Sequence, residues 1–154
     1  MSKPISAGIL VFKRLESGLE VFLVHPGGPY WTTKDAGAWS IPKGLVEKDE
    51  DLLAAAKREF EEETSFVLSG EPIELGTVIQ KSGKTVHAWA VQGNFDPSLL
   101  VSNRIDIEWP PKSGKQINIP EVDKACYFDF ETALTKLNPA QAEFVKRLAE
   151  KLNA

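Results

Sequence analysis

The stretch that most constrains this chain is "KGLVEKDEDLLAAAKREFEEETSF", Lys43 to Phe66. Leu53, Ala56 and Phe60 stand at i, i+3 and i+7, the period of one helical face, and predict a helix from about Asp51 to Thr64 with Asp49 as N-cap. On that helix Glu59, Glu62 and Glu63 fall at i, i+3 and i+4, so their carboxylates converge, while Glu61 lies off the converging face. Ala55, one turn earlier, puts a small side chain on the same face, where bulk would block access. Like charges at this spacing repel, and only Lys57 and Arg58 lie close by. Something else must make the crowding tolerable. Carboxylate oxygens gathered in this way suit a hard divalent cation, Mg²⁺ or Mn²⁺. The competing reading is a solvated acidic helix that only aids solubility.

The rest of the chain narrows the choice. Its 154 residues suit one domain, 1–154, with a proper core. A net charge of −4 carries no polybasic signal for nucleic acid or an anionic membrane. No apolar run approaches the roughly 20 residues of a membrane span, and the N-terminal "MSKPISAGILVF" is too strand-like for a secretory signal. The single Cys126 excludes an internal disulfide, fits a reducing, cytoplasmic setting and is expected as a small core residue.

Elements follow from pattern and punctuation. "ISAGILVFKR" and "LEVFLVHP" read as strands joined by a hairpin turn at "LESG". "HPGGPYWTTKDAGAW" is a loop, and Pro42 and Gly44 should end any strand in "AWSIPKG". Two strands, "IELGTVIQ" and "KTVHAWAVQG", flank the "KSGK" turn. Residues 96–123 read as one long irregular loop, of the kind that is often functional. "ACYFDF" predicts a short strand and "FETALTKL" a short helix; Asn138 and Pro139 open a last helix with Phe144, Leu148 and Leu152 inward. Strands and hairpins interrupted by helices predict an α/β fold, a mixed sheet covered on its faces.

Gly44, Glu50, Arg58, Glu59, Glu62 and Glu63, at these spacings, resemble the signature of the Nudix hydrolases: Gly, five residues, Glu, seven residues, Arg-Glu-(bulky)-x-Glu-Glu-x-Gly-(bulky). The one departure is Ser65, where the family has Gly; a left-handed helix end there would cost serine roughly 1 kcal/mol. The resemblance implies an α/β/α sandwich that hydrolyses a diphosphate linkage in a small-molecule nucleotide, with Mg²⁺ or Mn²⁺ as cofactor. It implies Glu59, Glu62, Glu63 and the Gly44 carbonyl as metal ligands, and an Arg58–Glu50 ion pair behind them. The general base would be Glu59 or a carboxylate from a later loop, Glu121 first and Glu108 second. "Trp39-x-x-Pro42-Lys43-Gly44" is similar to the opening of the asymmetric diadenosine tetraphosphate hydrolases. "HPGGPYW" with "GAWSIPKG" resembles a bacterial group of predicted Nudix pyrophosphohydrolases. On this reading Lys43 contacts a phosphate, Lys81 and Lys84 reach further ones, and Trp109, Trp31 or Tyr30 supplies a platform for a base, whereas His87 and Trp89 share a strand face. The alternatives are hydrolysis of nucleoside triphosphates or ADP-ribose, and a non-catalytic domain that senses a nucleotide.

Overall fold

The computed structural model describes residues 4–153. Its centre is the first strand, β1 (Ile5–Leu15), which is buried on both faces from Ser6 to Phe12. β5 (Thr85–Gln92) runs parallel to it along one edge. The other edge is shared. β2 (Gly18–Pro26) pairs antiparallel with Phe12–Leu15, and β3 (Lys43–Leu45) pairs antiparallel with Ser6–Gly8. The sheet forks between β2 and β3, and Ser40 and Pro42 bridge the gap through backbone bonds to Val24 and Ile9. β4 (Ile73–Ile79) and β8 (Val122–Asp129) complete the order β4-β5-β1-β2-β8.

Alternation along β1 feeds two cores. Ala7, Ile9 and Val11 face α1 (Leu52–Thr64), packing with Ala55, Ala56 and Phe60. Leu10 and Phe12 face α2 (Phe130–Lys136) and α3 (Ala142–Asn153), against Ala133, Leu137, Phe144, Val145 and Leu148. The result is the expected sandwich of helices on both faces of a mixed sheet. No helix among the described residues is long and apolar enough to cross a membrane.

Several expectations need correction. Pro42 does not end strand pairing, because Lys43–Leu45 is itself a strand. The cap of α1 is Asp51, whose side chain accepts from Ala54 N–H at 3.0 Å; Asp49 instead takes a left-handed turn conformation. Glu50 sets this, since its carboxylate accepts from Glu47 N–H and closes the turn before the helix. Residues 96–123 are not one irregular loop: β6 (Arg104–Glu108) and β7 (Gln116–Pro120) form a separate antiparallel hairpin. Asn138 and Pro139 open a 3-10 turn, Pro139–Gln141, and α3 begins after it. Cys126 is half-buried at the edge of a core rather than inside it.

Candidate active site

A cleft of about 540 Å³ opens at the fork in the sheet. Val24, Ser40, Ile41 and Lys43 line it from the fork, Tyr30 and Trp31 from the loop after β2, and Ile105, Ile107 and Ile119 from the hairpin. Gln80, Gln141, Glu63 and Glu121 add polar groups. The hairpin is held over the cleft by close backbone approach. Gly27 N–H donates to Glu121 O at 2.9 Å, and a Cβ at Gly27 would stand 2.1 Å from Pro120 O, so no other residue fits there.

The α1 carboxylates meet the cleft at its inner end, and their stripe is not a solvent face. Ala55, expected beside an accessible carboxylate face, is fully buried in the core with Phe60. Glu59 and Glu63 continue the same i, i+4, i+8 row, so they too point at the sheet, Glu63 being only 4 % exposed. The Glu59 carboxylate lies against Gly44, where a Cβ would be 2.1 Å from it. Glu63 accepts from the Lys43 backbone N–H at 3.2 Å.

The crowding is answered on the outer side by one cation. Arg58 donates from Nε and Nη2 to both oxygens of Glu50, at 2.8 and 2.9 Å, and from Nη1 to Glu59 at 2.9 Å and Glu62 at 3.2 Å. This fork geometry needs arginine rather than lysine. It holds Glu50 down to about 2, and the same partners raise the guanidinium above its usual value. The inner side is answered only in part. Burial pushes Glu63 well above the carboxylate range, with repulsion from Glu121 and Glu59 added and only Lys43 opposing. Burial likewise raises Glu59, with Glu62 and Glu121 adding repulsion and Arg58 opposing. Lys43 is lowered, first by burial and then by nearby Lys84, while the three glutamates pull it back. Buried, oxygen-only negative charge that Arg58 and Lys43 counter only in part is what a hard divalent cation takes up. Among the described residues these side chains are turned to Arg58 and to Lys43 N–H rather than arranged as a ready metal-binding group.

Glu121 lies in the cleft lining, with Asn103 Nδ2 donating to its carboxylate at 2.9 Å. Asn103 was not anticipated. Its backbone N–H also donates to Glu62 O at 2.8 Å, so one residue ties the end of α1 to Glu121. Glu108 accepts from Lys112 and Gly114 N–H at 3.0 Å each and holds the hairpin turn. Tyr30 and Trp31 line the cleft; Trp109 packs edge-on against Tyr30 at 4.8 Å. Lys81 is exposed on its turn, and it is Gln80 and Ser82 beside it that line the cleft. His87 and Trp89 do share a face and stack at 4.3 Å.

The chain belongs to the Nudix family: the model of the NUDIX domain matches residues 3–148, and this makes it a hydrolase acting on pyrophosphate bonds. Members of the family generally use divalent metal ions. No protein with a curated description matches the sequence. Among solved structures, the chain is similar to a Caenorhabditis elegans Ap4A hydrolase in a binary complex, with TM-score 0.69, 19% identity, and 96% of this chain and 98% of that one covered. It is also similar to the NUDIX domain of Shewanella oneidensis NrtR complexed with ADP ribose (TM-score 0.66, 16% identity, 99% and 90% covered). A MutT protein from Methanosarcina mazei Go1 gives TM-score 0.61 at 20% identity, with 100% and 99% covered.

Proposed function

We propose that this chain, as one domain, is a Mg²⁺-dependent pyrophosphohydrolase of a dinucleoside polyphosphate such as diadenosine tetraphosphate. The observation that carries the reading is the juxtaposition of Glu59, Glu63, Glu121 and Lys43 at the inner end of a cleft whose outer walls are Tyr30, Trp31 and three isoleucines. One end suits a charged phosphate chain and the other a flat, half-apolar ring. The Trp39-x-x-Pro42-Lys43-Gly44 opening supports a long phosphate chain, as does the likeness in fold to an Ap4A hydrolase.

Glu59, Glu62, Glu63 and the Gly44 carbonyl would hold the cation, and the donor set fits it: all are oxygens, and burial disfavours the ionised forms of Glu59 and Glu63. When bound, the cation neutralises the diphosphate and polarises its phosphoryl oxygens. Arg58, pinned by Glu50, keeps the outer carboxylates in register. Lys43 donates to a phosphate beyond the scissile bond. Water forms the new bond to phosphorus, its proton passes to Glu121 or Glu59, and the bridging oxygen leaves with its electron pair. The raised affinity of Glu59 for a proton suits it to that task. Lys81 on its exposed turn and Trp109 behind Tyr30 would act further out, on distal phosphates and a base. A cytoplasmic setting belongs to the same proposal and is supported by the lone cysteine.

The test is product release from diadenosine tetraphosphate, ADP-ribose and the nucleoside triphosphates, with Mg²⁺ added or chelated. The expected result is Mg²⁺-dependent cleavage, fastest on the dinucleotide. Preference for ADP-ribose or a triphosphate would move the substrate assignment, and binding without cleavage would make the domain a sensor.

A further inference from the structure

Gln141 is a polar side chain only 1 % exposed, at the floor of the cleft. Its Oε1 accepts from the backbone N–H of Ile41 at 2.9 Å. That contact fixes which way the amide points, because a flipped amide would set two donors against each other. Both amide hydrogens then have partners. One goes to Ser40 Oγ at 3.1 Å, and Ser40 passes its own proton to Ile41 O at 2.7 Å. The other goes to Gln80 Oε1 at 2.9 Å.

The polarity is therefore transmitted to Gln80. Its oxygen is occupied by a donor, so on this half-buried side chain Nε2 is the group left to meet a ligand. Gln80 cannot swing away without losing the bond from Gln141 Nε2, and its backbone is held by Lys84 O and Gly83 N–H at 2.8 Å each. Gln80 lines the cleft on a turn facing the Ile105, Ile107 and Ile119 wall. A donor fixed in direction beside an apolar wall favours an acceptor and disfavours another donor, since a desolvated donor left unpaired is costly.

We infer that Gln80, oriented through Gln141 by the Ile41 N–H, is a specificity-determining residue that reads a hydrogen-bond acceptor, a carbonyl oxygen or unprotonated ring nitrogen, on the edge of a nucleobase in the cleft. This rests on the reading of the cleft as a nucleotide site. The relay acts on binding and not on bond breaking, as Gln80 and Gln141 are not among the carboxylates or Lys43 at the inner end.

The test is calorimetric titration of the four nucleoside 5′-diphosphates and of ribose 5-phosphate as the base-free probe, against wild type and Gln80→Met. Methionine keeps length and removes the donor. The best-bound base should lose about three- to tenfold in affinity, the spread among bases should narrow, and ribose 5-phosphate should bind as before. Gln141→Glu turns the relay round: Gln80 would donate to the new carboxylate and offer its oxygen to the cleft, so the order of bases should change. Should that variant not fold, Gln80→Met alone decides. Nucleotides that bind wild type and Gln80→Met with the same order and spread would overturn the inference while leaving the site intact. Failure of every nucleotide to bind wild type would overturn the site reading, and the inference with it.

Discussion

At its inner end the cleft takes Glu63 from α1 and Lys43 from the strand beside it, with Glu59 next to Glu63 on the helix and Arg58 bonded to Glu59 from the outer side. Its outer wall takes Ile105, Ile107 and Ile119 from a hairpin, Tyr30 and Trp31 from a loop, and Gln80 and Gln141 from either side of the last four strands. The first region is specified by local geometry: i, i+3 and i+4 spacing on a helix makes the carboxylates meet wherever the helix is placed. The second exists only when four separate segments fold together. The two also carry energy of opposite sign. The outer wall is lined by apolar side chains, whereas the inner end holds buried acids that repel one another. The proposed site is thus seated where local sequence is strongest and folded-state electrostatics are worst.

The largest effect should come from removing charge at the inner end. Glu62→Gln keeps size and helix propensity, and the side chain is 45% exposed, so the fold should survive. Activity should fall about a hundredfold or more, since one anionic ligand is lost. Unchanged turnover at limiting Mg²⁺ would show that this face is not where the reaction occurs.

Lys43→Ala probes the junction between the two regions. It should lower kcat/KM for diadenosine tetraphosphate about tenfold, and lower that for ADP-ribose less, through one lost charge-assisted bond. Equal losses at fixed salt and Mg²⁺ would reduce Lys43 to support of the loop.

How much of this contrast could be read beforehand follows from the same division. The convergence of Glu59 and Glu63 was legible from spacing, the Arg58–Glu50 pair followed from the family resemblance, and β1, β2, β4, β5 and α2 were legible from their cleanly bounded patterns. The hairpin was hidden by Pro110, Pro111 and the Ser113-Gly114 turn, although Ile105, Ile107, Ile117 and Ile119 alternate at the strand period. β3, three residues long, carries too little pattern to be seen. Burial of Ala55, Glu59 and Glu63 was missed because charge reads as exposure, whereas the position of the row relative to the sheet decides it. The Gln141–Gln80 relay and Asn103 have no local signal, since each joins groups far apart in sequence.

A smaller effect lies in acid. Glu50 binds its proton less readily folded than unfolded, so it adds stability above its ordinary value of 4.5 that is lost as pH falls from there through about 2. Glu50→Gln should flatten that limb of a stability–pH curve measured by denaturant unfolding between pH 5 and pH 2, and an unchanged limb would place acid sensitivity elsewhere.

The smallest effect is expected at Ser65. It has the left-handed conformation that favours glycine, φ 66, but its hydroxyl donates to Val101 O at 2.6 Å and helps hold the segment that caps α1. Relief of backbone strain and loss of that bond are each on the order of 1 kcal/mol. Ser65→Gly should therefore shift Tm by no more than about 2–4 °C either way, and a larger fall would make the hydroxyl a main tie between α1 and the hairpin.

The account's central claim is that the inner carboxylates are an electrostatic liability that a divalent cation resolves. Glu63 tests it most directly. Its proton affinity is raised on folding, so its ionised form costs stability at neutral pH, a cost that grows as pH rises from 4.5 through its folded value. The measurement is Tm at pH 7.5 for wild type and Glu63→Gln, each in chelator and in Mg²⁺. In chelator the variant should melt about 2–6 °C above wild type, and Mg²⁺ should stabilise wild type more than the variant. A variant that melts below wild type in chelator, or an equal response of both to Mg²⁺, would contradict the claim.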